Sequence, residues 1–428
     1  MEGNGVGNWR TRTRVFYGWW IVAALYLIVL NTGGMGFYCF PVFVQSLIDE
    51  FGWTMTQISA GAALWAIVYG FSGPVIGLLI ARFGVMKTML GAAVVSSVTL
   101  VGYASVHSLW MLYACLFAAG FAIAGTTLVP AQTAITNWFN RYRGRAMSLM
   151  MLGIGSGGFL LPPLNEFLIR AVGWRQTWLV AFGVTWLIVI PLIVVFVRTR
   201  PSELGLLPDG EPPKEDTASS VMSGLPVKQA VASLTFWLIF ATYVLQLLGL
   251  SAINFHFVPF LIQETRFTPQ EAATFLGFTV LLSIPGRLLF GWLADRWSPV
   301  VVLAIVGILL ACGPSLLLTL FVWMGLKVVN LLWCYSVPYG LGIAGNAVVL
   351  PILVGRCFGE LHFSKLMGLV MSAFAIGVVV GIPGAGKIFD VTGSYEIAFL
   401  ICIGAFLLSS LLVITIRTGR HRAQFVTE

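Results

Sequence analysis

Residues 283–299 read SIPGRLLFGWLADRWSP: an apolar run with one arginine, Arg287, inside it and a G-W-L-A-D-R turn, Gly291 to Arg296, at its end. No carboxylate stands three or four residues from Arg287, where Ser283, Ile284, Phe290 and Gly291 lie, so its own helix offers the charge no partner. The run belongs to a chain of 428 residues that is 58% hydrophobic and 9% charged, with a mean hydropathy of +0.94. Soluble domains carry roughly 25% charged residues. The composition therefore predicts a polytopic membrane protein.

Apolar segments of about 20 residues, the length that crosses a bilayer, begin near Phe16, Ile58, Thr88, Leu109, Ala146, Thr177, Leu234, Ala272, Val300, Val328, Met367 and Ile397. Twelve spans are expected, in an all-α fold. Many of the 47 glycines and 19 prolines fall inside them, as close helix packing and local unwinding require. With both termini cytoplasmic, eighteen of the 24 Lys and Arg fall on cytoplasmic segments. Only Arg170, Arg175, Arg266 and Lys327 fall outside, which satisfies the positive-inside rule. The net charge of +8 is thereby spent on loops facing anionic lipid, and no basic patch remains for nucleic acid. No cleavable signal peptide is expected, because the first apolar segment is too long for a signal-peptide core. The six cysteines lack metal-ligand spacing and read as buried thiols. No Walker sequence, H-E-x-x-H or other catalytic motif is present, which argues against an enzyme and leaves transport without an ATP site, hence secondary.

The one long polar segment, 198–230, divides six spans from six. The halves repeat: GFAIAG from Gly120 matches GLGIAG from Gly340 at an offset of 220, which also carries Met147 to Met367 and Gly173 to Gly393. GLLIAR, ending at Arg82, matches GWLADR, ending at Arg296, at an offset of 214. A parallel duplication of six helices places a substrate site between the halves near the midplane. The expected organisation is a cytoplasmic tail (1–15), a six-helix half (16–197), a cytoplasmic linker (198–230), a second half (231–416) and a cytoplasmic tail (417–428).

GLLIARFGVMK, from Gly77, resembles the G-x-L-A-D-R-x-G-R-R motif of the major facilitator superfamily, with GWLADRW as its second-half counterpart. FYGWW, DEFGWTMTQIS, NWFNRYRGRAMSLMMLGIGSGG, VGWRQTW and RTRPSELGLLPDGE are similar to bacterial monocarboxylate-porter-like members, relatives of the monocarboxylate and oxalate/formate transporters. The resemblance runs from Tyr17 to Ile416 and implies the twelve-helix facilitator fold, alternating access, and a conformational role for Gly77, Ala81, Arg82, Gly291, Asp295 and Arg296. Two departures stand out. Ala81 replaces the first motif's usual Asp. Phe374 lies near where the oxalate/formate carriers place a second cation, which argues against a dicarboxylate.

Arg287 lies about nine residues from the inner end of its span, roughly 13 Å at 1.5 Å per residue. A charge at that depth is costly and faces either water or a partner. Among the acids only Glu166 reads as lying within a span, and Arg170 stands one turn from it. Arg287 is therefore expected to meet a substrate carboxylate in a two-bond grip, the alternative being a structural ion pair. The R-x-x-x-G arrangement of Arg287 and Gly291 is also how the resembling carboxylate carriers present their substrate arginine.

His256 is the one histidine within a span. It is expected to carry a proton and touch substrate, or to be a packing histidine. Tyr38 occupies its repeat-equivalent position at an offset of 218, so the two rings are expected to face each other across the halves. Asn254, Asn346 and Thr127 are candidates to hydrogen-bond a substrate hydroxyl or keto group, or to satisfy broken backbone. The expected function is a functional monomer in the cell (inner) membrane that moves a small organic anion, a lactate- or pyruvate-like monocarboxylate, with a proton. No cofactor or metal is called for. Carboxylate exchange, transport of a neutral or amphiphilic compound with Arg287 structural, and a transport-like sensor signalling through its linker are the alternatives. The linker's shortness and lack of a folded domain count against the last.

Overall fold

In the computed structural model the described residues are 16–53, 55–210, 224–264, 267, 269–326 and 331–416. Among them, twelve helices are long and apolar enough to cross a membrane. They are α1 (Tyr17–Val44), α2 (Ala60–Phe83), α3 (Val85–Ala104), α4 (Leu109–Trp138), α5 (Arg143–Val172), α6 (Trp174–Phe196), α7 (Leu234–Ile262), α8 (Gly277–Arg296), α9 (Pro299–Trp323), α10 (Leu332–Phe358), α11 (Phe363–Thr392) and α12 (Glu396–Ile414). Leu187, Val98, Val391 and Leu411 point outward with most of their surface exposed, as side chains bathed in lipid do. An even number of crossings brings the described ends, Phe16 and Ile416, to one side, called here the termini face.

Glycine sets how closely these helices approach. A Cβ on Gly120 would strike the carbonyl of Trp65, and one on Gly340 the carbonyl of Thr279. Likewise Gly125 abuts Ala92 and Ile76, while Gly345 abuts Val306 and Phe290. Each second-half contact joins residues carried over from the first at the offsets of 220 and 214 read in the sequence. The duplication is thus a repeat of packing as well as of letters.

The same correspondence governs the seams between halves. On one, α2 lies against α11, with Gly73 against Gly368 and Gly77 against Ser364. On the other, α8 lies against α5: Gly144 fits under the carbonyl of Gly291, and Ser148 Oγ donates to the carbonyl of Arg287 at 2.6 Å. The seams differ where charge is placed. Asp295 accepts from the backbone N–H groups of Gly144 at 2.6 Å and Arg145 at 3.1 Å, the first turn of α5, where the helix dipole favours an anion. Ala81, its counterpart, offers nothing to the start of α11. Arg143, in turn, forms an ion pair with Glu360, and its Nε donates to the carbonyl of Phe139 at 2.9 Å. Burial raises the Glu360 carboxyl above its ordinary range, more than the Arg143 guanidinium lowers it.

Between described residues, every hydrogen bond joining the halves lies at these seams, from the termini face to Arg287. At the opposite face the described polar groups pair within their own half. Arg175 Nη2 and Trp174 Nε1 donate to Glu50 at 2.5 and 2.8 Å. Ser394 Oγ donates to Glu264 at 3.0 Å, and the exposed Glu166 takes Arg170 Nε at 2.8 Å, the one-turn pair its spacing suggested. Segment 198–210 docks on the first half: Asp209 accepts from the N–H groups of Asn140 and Arg141 at 2.8 and 2.7 Å.

A charge-assisted hydrogen bond is worth about 1.5–3 kcal/mol, and about 1.4 kcal/mol is tenfold in an equilibrium. Asp295→Asn should therefore open the termini-face seam about ten- to a hundredfold more often. Ala81→Asp, which sets a carboxylate beside the first turn of α11, should do the reverse. The rate of labelling of a cysteine at the buried position Thr136, in a background without the exposed Cys312 and Cys334, reports both. Equal rates in all three proteins would contradict this account of the gate.

Candidate functional site

Arg287 sits two turns above the Asp295 clasp, 7% exposed. In the repeat its counterpart is Gly73, so the charge enters one seam only. Its Nη1 donates to the carbonyl of Met151 at 2.8 Å and lies against Gly155, where a Cβ would meet it at 2.6 Å. Any other residue at Gly155 would displace the guanidinium. Among the described residues no carboxylate pairs with Arg287, and its Nε is buried without a hydrogen-bond partner. Orphaned buried donors are rare because each costs about 1–3 kcal/mol, more when charged.

The Tyr38 ring lies along Gly158 of α5, one turn from the Gly155 that Arg287 rests against. Its placement starts with local sequence. N-T-G-G-M-G-F-Y-C-F-P runs from Asn31 to Pro41, and Pro41 has no N–H to return to the preceding turn, so Met35–Cys39 winds as a π-helix. The wider turn advances Phe37 and Tyr38 out of α-helical register. Phe37 then packs edge-on against Trp65 and Tyr69, at 5.4 and 5.1 Å between ring centroids.

The other sequence candidates go elsewhere. His256 is buried in the second half, its Nε2 3.0 Å from the carbonyl of Ile382 and its Nδ1 3.3 Å from the Tyr395 hydroxyl. One neutral tautomer, donating from Nε2 and accepting at Nδ1, satisfies both contacts. Thus the Tyr38 ring lies on α5 and His256 turns to Tyr395, where the repeat had suggested that the two rings face each other. Asn346 donates to Gln246 Oε1 at 2.5 Å, and Gln246 Nε2 donates to Ser409 Oγ at 3.3 Å, a polar chain inside the second half. Thr127 marks a break in α4, three residues before Pro130, and its Oγ1 donates to the carbonyl of Ile123 at 2.6 Å. Asn254 is exposed beside Phe255. Gly77, Ala81, Arg82, Gly291, Asp295 and Arg296 lie at the termini face, Arg296 over the Trp292 ring at 4.1 Å and Arg82 over Phe83 at 5.2 Å.

A cavity of about 420 Å³ opens around the π-turn. Its wall holds Phe37, Pro41, Ala62, Trp65 and Ala66, with Phe255 and Ile382 from the second half. It is lined also by Asn31 of α1 and, beyond that helix, by Ser96, Thr99, Tyr103, Trp178 and Thr185. Arg287 does not line it, so the cavity is displaced into the first half from the midplane position that the duplication suggested. Sequence reading passed over Asn31 and Trp65. The signal available was a polar residue opening a glycine-rich, proline-ended stretch in an otherwise apolar span.

Comparison with known proteins agrees with this geometry. The sequence pattern described as Major Facilitator Superfamily matches residues 25–352. Monocarboxylate transporter 13 of Bos taurus is 26% identical over 408 residues, covering 92% of this chain and 87% of its own. Monocarboxylate transporter 11 of Mus musculus is 28% identical over 422 residues, covering 92% and 86%. Among solved structures, the human organic anion transporter MFSD10 aligns with a TM-score of 0.69 at 13% identity, covering 92% of this chain and 99% of that one. The transporter FucP in its outward conformation aligns at 0.68 and 14%, covering 92% and 97%. The pattern spans more than half of the sequence, and the chain belongs to the major facilitator superfamily.

Proposed function

We propose that the chain is a secondary transporter of a small organic monocarboxylate, which Arg287 grips. The observation that carries this reading is a buried guanidinium with an unused Nε–H and no carboxylate of the protein beside it. A charge at that depth faces water or a partner, and a carboxylate matches the guanidinium fork with two parallel bonds. One cation suits one carboxylate. Phe374 stands edge-on to Tyr69 at 5.4 Å across the α2/α11 seam and adds no second charge. With the termini cytoplasmic, the closed seams at the termini face make this the outward-facing state, and transport is the rocking of the halves that closes the opposite side. That the curated relatives are monocarboxylate transporters supports the same substrate class.

Coupling to a proton through His256 is one reading. A second, exchange of one monoanion for another, is favoured by a specific observation: both His256 nitrogens are already engaged within its own half. Closing the empty carrier would then enclose a guanidinium with no counter-ion, a cost of several kcal/mol that bound substrate removes.

Reconstituted in liposomes, the protein should take up labelled monocarboxylate saturably. Unlabelled monocarboxylates should compete, and neither the corresponding amide nor a dicarboxylate of similar length should. If uptake occurs with equal efficiency for the amide, the carboxylate reading fails. A proton symporter will accumulate substrate into empty vesicles under an inward pH gradient and lose this in His256→Gln with binding intact. An exchanger will need internal anion, run at least tenfold slower without it and ignore the gradient.

A further inference from the structure

We infer that the substrate's carboxylate carries an aromatic or comparably bulky apolar body, and that this body lies in the cavity around the π-turn of α1; the inference rests on the Arg287 reading and narrows it. The cavity, about 420 Å³, falls in the range of about 300–1,000 Å³ in which pockets enclose ligands of drug size. A three-carbon acid would leave most of it empty. Among the described residues, no charged side chain lines it. The wall facing the second half is Phe37, Trp65 and Phe255, and the inner wall is Tyr103 and Trp178. Trp178 is pinned between Phe43 and Tyr103, with ring centroids at 4.0 and 4.7 Å, so this wall is rigid. The polar groups are few and neutral, Asn31, Thr99 and Thr185 among them, enough to orient a ring substituent without admitting an ion.

The cavity and the guanidinium are joined through α1. Gly36 and Phe37 line the cavity, and the ring of the next residue, Tyr38, lies along Gly158 of α5, one turn from Gly155, against which Arg287 Nη1 rests. A ligand whose acid group stands at Arg287 would pass Tyr38 to reach the aromatic wall. The cavity belongs mainly to the first half and Arg287 to the second, so such a ligand would bridge the two bodies that must move together.

Binding to the purified wild-type protein would be compared for acetate, pyruvate, phenylpyruvate, indole-3-acetate and indole-3-acetamide. The aryl acids should bind at least tenfold tighter than acetate and pyruvate, since buried apolar area strengthens binding. Ala181→Phe fills the cavity from α6, far from the seams. It should weaken the aryl acids tenfold or more and change acetate and pyruvate by less than about threefold. Trp65→Ala, which removes a wall instead of adding bulk, should discriminate in the same way. Aryl acids that bind no tighter than pyruvate, or not at all, would overturn the inference, as would variants that weaken short and aryl acids alike. The amide separates this from the parent reading: if it binds as tightly as the acid and loses affinity in Ala181→Phe, the cavity assignment stands and the carboxylate grip does not.

Discussion

A single buried charge organises this molecule. Arg287 stands in the α5/α8 seam with its Nη1 on the carbonyl of Met151, its Nε free and its own carbonyl held by Ser148 of the other half. The arginine is thus part of the contact between the halves, and in the function proposed above it is also the cation that meets substrate. Whatever binds its guanidinium acts on the seam along which the halves move, and this gives ligand binding and conformational change a common physical basis. Gly155 makes room for the side chain, and Gly144 and Gly291 bring the helices close enough for the carbonyl contacts below it.

The two halves repeat closely in packing and depart from one another in charge. Arg287 stands opposite Gly73 in the repeat, and Asp295 opposite Ala81. Each substitution of a charged group for a small one falls in the same seam. The α2/α11 seam, without either, is held by glycine contacts and one hydrogen bond from Ser364 Oγ to the carbonyl of Gly77 at 3.3 Å. A duplicated scaffold supplies two equivalent places for a charge, and here one holds it while the other is a close glycine contact.

Much of this was legible in the letters. The apolar runs gave twelve spans, the offsets of 220 and 214 revealed the duplication that the glycine contacts then repeat, and the lack of acids near Arg287 foretold an unpaired guanidinium. Other features were hidden because they depend on side-chain direction. That His256 turns to Tyr395 and Ile382, that Asn346 takes Gln246 and that Thr127 spends its hydroxyl on a break in α4 follow from how neighbouring helices rotate, which periodicity does not report. The cavity escaped for a related reason. It depends on a π-turn at Met35–Cys39, whose extra residue shifts the register of every side chain after it.

The central claim is that Arg287 is a binding residue and not a structural one, and one paired measurement addresses it: melting temperature and monocarboxylate affinity on the same preparation of Arg287→Gln. Breaking a buried charge pair costs about 2–5 kcal/mol of binding, about 30-fold to several thousandfold in affinity. The account predicts that loss in a protein whose melting temperature without ligand is close to that of the wild type, with Arg287→Lys recovering only part of the affinity. A folded Arg287→Gln protein that binds its acid as tightly as the wild type would contradict it.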